Sequence, residues 1–189
     1  MKLGCHAILA ALLVIGLEGG VFAQQMEQGT VNQPRHSVAV QNVVARQLIG
    51  TWRLVSRVTR TAEGQPIVDP GLGARPVGYL IYDTTGHVAA QLMRPGRSSA
   101  DMENCGSRQT KAENNPGIFC GYDAYFGTYA FDGPNSVVHH LEMALSPDDV
   151  GRDVHRSFSI KGNRLTITFA TTAPDGRPAT RTLIWERVQ

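Results

Sequence analysis

The chain has 189 residues, a formal net charge of +2, 42% hydrophobic residues and 18% charged ones. That is enough apolar material for one globular domain with a proper core. The basic residues are scattered rather than gathered into a stripe, so no nucleic-acid partner is expected.

Residues 1–23 stand apart. Lys2 gives a positive start, Ala7 to Leu17 an apolar run, and Val21-Phe22-Ala23 a small-residue cleavage site before Gln24. This is the pattern of a secretory signal peptide, and the run is too short to span a bilayer. The mature protein is therefore expected in the periplasm or secreted, with no stable membrane insertion. Cys5 lies ahead of the apolar run, which is not where a lipoprotein cysteine belongs. Removing the signal leaves Cys105 and Cys120. In an oxidising compartment such a pair suggests a disulfide, closing a loop of about 15 residues and contributing on the order of 3 kcal/mol. No CxxC or neighbouring histidine accompanies them, so no metal site is expected.

Residues 24–36 are polar and aperiodic and read as a disordered lead-in. The domain proper spans 37–189. Ser37 can cap a short helix with Val40, Val43, Val44 and Leu48 at helical spacing, ended by Gly50. From Thr51 the period becomes two: Trp52, Leu54, Ser56 and Val58 alternate with Arg53, Val55, Arg57 and Thr59 in a first strand. Residues 61–77 read as a loop. Gly78–Tyr82 and His87–Met93 form the next two strands around the turn Asp83-Thr84-Thr85-Gly86. A long loop from Arg94 to Cys120 follows, a length typical of lids or disordered segments.

Gly121 to Leu145 reads as a hairpin turned at Gly133-Pro134. Pairing Phe131 with Ser136 puts Tyr129 opposite Val138, Gly127 opposite His140 and Tyr125 opposite Glu142. On the other face it puts Phe126 opposite Leu141 and Ala124 opposite Met143, with His139 among them. Three more strands follow, Asp153–Ile160, Arg164–Ala170 and Arg181–Val188. About eight successive antiparallel strands with a short N-terminal helix describe an all-β sandwich or up-and-down barrel. An eight-stranded barrel has an interior that side chains fill or that holds one small ligand.

The segments LIGTWRLVS, GYLIYDTTGHVAAQLMRPGR, GYDAYFGTYAFD, VVHHLEMALSP, GNRLTIT and LIWERV resemble the bacterial and fungal lipocalin-like domain family, over roughly Leu48 to Val188. The resemblance implies a calycin-type barrel with a ligand-sized interior, and little about chemistry. It also implies that Trp52 sits at the closed end of the barrel beneath an arginine of the last strand, for which Arg187 is the candidate. The Asn104–Cys120 loop departs from the resemblance.

Strand alternation nominates the site. Leu165, Ile167 and Phe169 should point inward. A two-residue turn at Gly162-Asn163 then sets Ile160, Phe158 and Arg156 opposite them, projecting Arg156 into the interior or leaving it at the rim. The hairpin leaves two arrangements open. If Phe126, Leu141 and Met143 face inward, His139 is the lone polar group among them. If they face outward, Tyr125, Tyr129, His140 and Glu142 enter the lumen, and the outer apolar patch suits a homodimer contact. Gln91 can orient a ligand if it points inside with Ala89 and Met93. His87 and His155 read as exposed strand histidines.

Three functions follow. The first is an exported protein that binds an apolar or amphipathic metabolite under the Arg94–Cys120 loop, through Gln91, Tyr125, Tyr129, His139, His140, Glu142 and Arg156. The second is an isomerase or cyclase acting on a carbonyl-containing metabolite, with Tyr125, Tyr129, His140 and Glu142 as its acid/base set. The third is a filled, dimeric interaction module. No phosphate loop, nucleophile elbow or dinucleotide fingerprint is present, and no cofactor is expected.

Overall fold

The computed structural model describes residues 46–100 and 119–189. The expected signal peptide (1–23), the lead-in (24–36), most of the expected helix and Cys105 lie outside the described residues. The described chain is almost entirely sheet: β1 (Gly50–Thr61), β2 (Pro66–Ile67), β3 (Val77–Tyr82), β4 (His87–Met93), β5 (Tyr122–Gly133), β6 (Ser136–Ala144), β7 (Asp153–Lys161), β8 (Arg164–Thr172) and β9 (Pro178–Arg187). A single 3-10 turn, Pro147–Asp149, follows β6. The strands pair in the order β2-β1-β3-β4-β5-β6-β7-β8-β9, and β1 also pairs with β9. β2 meets only Thr59 and Arg60 at the far end of β1, so it stands outside the circuit. The other strands form the closed, eight-stranded antiparallel barrel expected from the sequence. Closure leaves no long unpaired edge among the described strands to template aggregation.

One end of the barrel is stoppered. Residues 46–48 are helical, and Leu48 and Trp52 are fully buried. The Trp52 indole N–H donates to the Leu48 carbonyl at 2.9 Å, fixing the helix end against the first strand. The Arg187 guanidinium covers the Trp52 ring at 4.1 Å, as expected, and donates to the carbonyls of Ile49 and Gln47. Gly50 sits at φ 138°, and a Cβ there would run into that guanidinium. Only glycine satisfies both conditions.

Two departures from simple alternation decide what lines the interior. In β1 the pairing with β9 shifts between Leu54 and Ser56, so Val55 is an inserted residue. Trp52 and Leu54 face inward before the bulge, and Arg57 and Thr59 after it. Unbroken alternation from Trp52 would put Arg57 and Thr59 on the opposite face. A one-residue insertion reverses the facing of everything beyond it.

The β5–β6 hairpin is likewise displaced from the expected pairing. Gly133 pairs with Ser136, Tyr129 with His139 and Phe126 with Met143, with shifts at two places. The second shift falls beside Gly127, where a Cβ would collide with the His140 carbonyl, so the close approach requires glycine. Neither expected face survives whole. Tyr125, His139 and Leu141 turn inward, while Phe126, Met143, His140 and Glu142 turn outward. The β7–β8 turn keeps its expected register, with Ile160 opposite Leu165 and Phe158 opposite Ile167.

Candidate functional site

The barrel holds a cavity of about 460 Å³. Its apolar walls come from inward positions of several strands, among them Leu80, Leu92, Ile167, Phe169 and Leu183. The polar lining is rich in charge: Arg57, Arg156 and Arg181 reach it from three strands, and Asp123 from a fourth. Arg152 and Asp149 join the lining and pair with each other at 2.7 Å.

Arg57 is neutralised. Its guanidinium meets Asp69 at 2.7 Å, with both side chains almost wholly buried. Asp69 lies between β2 and β3, and its other carboxylate oxygen accepts the backbone N–H groups of Gly71 and Leu72. Burial alone would push this carboxyl up, but Arg57, the Leu72 N–H and Arg181 together hold it below the usual range. The Arg181 guanidinium stands 3.7 Å from Asp69 and donates to the Thr59 hydroxyl at 3.0 Å.

Arg156 is held differently. Its guanidinium lies 3.8 Å from the centre of the Phe169 ring and donates to the neighbouring His155 carbonyl. No carboxylate among the described residues forms an ion pair with it. Burial lowers its pKa, partly offset by Tyr125, Tyr82 and Asp123. Asp123 is pushed up to about 6, chiefly by burial.

A buried chain of rings forms the inner wall. His139 is 1% exposed, with Nε2 at 2.8 Å from the Tyr82 hydroxyl and Nδ1 at 2.9 Å from the Tyr125 hydroxyl. Burial and the Arg156 charge lower the imidazole to about 3, so it is neutral and carries one N–H. Burial raises Tyr125 to about 12 and puts Tyr82 well above the ordinary phenol range. Tyr129 packs edge-on against Tyr82 at 5.0 Å and donates to the Asp83 carbonyl at 2.9 Å. Near neutrality this chain orders hydrogen bonds rather than exchanging protons with a substrate.

The residues expected from the sequence therefore separate. Tyr125, His139 and Arg156 come together on the cavity, and Tyr129 supports Tyr82 behind it. His140 is outside, paired with Asp153 at 2.7 Å. Glu142 is exposed on the same outer face. Gln91 also points outward, accepting from the Tyr122 hydroxyl at 3.0 Å, because Val88, Ala90 and Leu92 take the inward positions of β4. The Tyr/His/Glu acid/base set is thus not assembled in the lumen. Among the described residues no group of three or more His, Cys, Asp or Glu side chains could hold a metal ion.

Arg57, Asp69, Tyr82, Asp123, Arg181 and Trp185 were not singled out from sequence. Asp123 alternates with Tyr125, and Arg181 with Leu183 and Trp185, so their inward facing was readable. Arg57 was hidden by the Val55 bulge, and Asp69 by a loop without periodicity. A profile of the lipocalin-like domain matches residues 49–188. No curated protein matches the chain.

Proposed function

Because the chain belongs to the lipocalin-like domain family, we propose that it is an exported carrier or receptor for an amphipathic small molecule held inside the barrel. The observation that carries this reading is the cavity of about 460 Å³ at the centre of a closed barrel, part apolar and part cationic. Ligand sites in general are concave spaces of a few hundred Å³, mostly apolar, with a few placed polar groups. The stopper at Trp52 and Arg187 leaves the opposite end for entry. A filled barrel would have no use for arginines kept at the cost of desolvation.

Export rests on the N-terminal pattern of residues 1–23, and it brings the Cys105–Cys120 disulfide with it. Intact-mass measurement of the secreted or periplasmic protein tests both: the chain should begin at Gln24 and be lighter by two hydrogens than after reduction. Native mass spectrometry of the same material tests the binding reading. A retained small molecule, released on denaturation, is the expected result. Filling the cavity by Leu183→Trp should abolish retention while the protein still folds. Unchanged retention in that variant would place the ligand elsewhere.

A further inference from the structure

Counting donors and acceptors around the cavity shows which end of a ligand belongs there. Tyr82 is buried, and its hydroxyl has one hydrogen-bond partner among the described residues, His139 Nε2 at 2.8 Å. A buried hydroxyl proton left unmet is costly, so Tyr82 donates and Nε2 accepts. The neutral imidazole then carries its proton on Nδ1 and donates it to the Tyr125 oxygen at 2.9 Å. Tyr125 is left with its own O–H proton and lines the cavity.

Other donors line the same cavity. Trp185 lines the cavity, and its buried indole N–H has no hydrogen-bond partner among the described residues. Arg156 is stacked on Phe169 with, among the described residues, only a backbone carbonyl as acceptor. Arg181 adds a second cation, 5.8 Å from the same ring and shared only distantly with Asp69. Against these, among the described residues, stands one carboxyl without an ion pair, Asp123, since Asp69 is engaged by Arg57 and Asp149 by Arg152. The balance is an excess of donors and of positive charge beside aromatic and aliphatic walls.

Resting on the binding reading above, we propose that the cavity is a carboxylate subsite: the ligand is a small amphiphile whose carboxylate meets the Arg156 guanidinium and the Tyr125 hydroxyl while its apolar body lies against Phe169, Ile167 and Leu183. The Tyr82–His139 pair acts as a positioning device, since it fixes the tautomer that turns the Tyr125 proton outward. Guanidinium–carboxylate bonds in a low-dielectric site are strong and directional.

The test is displacement of N-phenylnaphthylamine, an uncharged fluorescent probe, from the purified full chain by decanoate and by decanol. These differ only in the head group. Decanoate should displace the probe at a concentration about tenfold or more below that for decanol. Arg156→Gln should bring the two to near equality, and Arg156→Lys should restore much of the preference. Tyr125→Phe keeps the ring and should reduce the ratio several-fold, giving a second reading should Arg156→Gln not fold. Equal displacement by acid and alcohol in the unmodified protein, or an undiminished preference in Arg156→Gln, overturns the proposal. Failure of the probe itself to bind sinks the binding reading, and this proposal with it.

Discussion

Arg57 and Asp69 form the most deeply buried ion pair among the described residues, and neither charge has water to fall back on. Breaking a buried pair from one side leaves the other charge uncompensated, at roughly 3–5 kcal/mol. Asp69→Asn should therefore lower stability by about that much, measured as a shift in the urea midpoint at unchanged slope. It also frees Arg57 and Arg181 toward the cavity. Arg57→Met with Asp69→Leu, which removes both charges, should recover most of the loss. Tyr82→Phe is a milder change that leaves the His139 Nε2 without its donor, at about 1–3 kcal/mol. A double variant with His139→Leu should cost less than the sum of the singles, as expected for partners in one network. None of this pair's importance was visible in the sequence. Arg57 alternates with Trp52 in the wrong sense until Val55 is known to bulge, and nothing in a loop marks one aspartate as buried.

Whole strands were far more legible than the way they meet. His87–Met93 was read with the bounds the structure shows, and the β7–β8 register was obtained from Gly162-Asn163 alone. Both follow from period-two alternation bounded by turn residues, a local signal. The β5–β6 register could not be read in this way, because two irregularities, between Phe126 and Gly127 and between Phe131 and Gly133, are tertiary features. A slip of one residue exchanges the two faces, which is why the sequence groups His140 and Glu142 with Tyr125, where the structure sets His139 and Leu141. Gly127 is the local price of that arrangement. Gly127→Ala places a Cβ against the His140 carbonyl, where backbone rather than a flexible side chain must yield. It should destabilise by on the order of 2 kcal/mol or more and broaden amide resonances along both strands. A silent Gly127→Ala would mean that the bulge can sit elsewhere.

At the scale of the molecule, the polar interior couples the barrel's stability to pH through two groups of opposite sign. The His139 pKa falls from 6.5 to about 3 in the fold, so the unfolded chain takes up a proton that the folded one refuses. Stability is lost as pH drops through that window, by on the order of 5 kcal/mol at most. Asp123 runs the other way. Its pKa rises from 3.8 to about 6, so the folded state binds a proton first and stability is gained as pH falls from about 6 to about 4, by on the order of 2–3 kcal/mol. Between those values the two largely offset each other, and only below about pH 4 does the histidine act alone. Asp123→Asn removes the compensating half. Its thermal midpoint should exceed that of the unmodified protein near pH 8, where the buried carboxylate is charged, and the advantage should vanish near pH 4. His139→Gln, whose amide can both donate and accept between the two phenols, leaves Asp123 acting alone, so its stability should instead rise as pH falls from about 6 to about 4. Parallel stability curves for all three proteins from pH 8 to pH 4 would show that neither group is as buried as the barrel places it, and the donor excess assigned to the cavity would lose its physical basis.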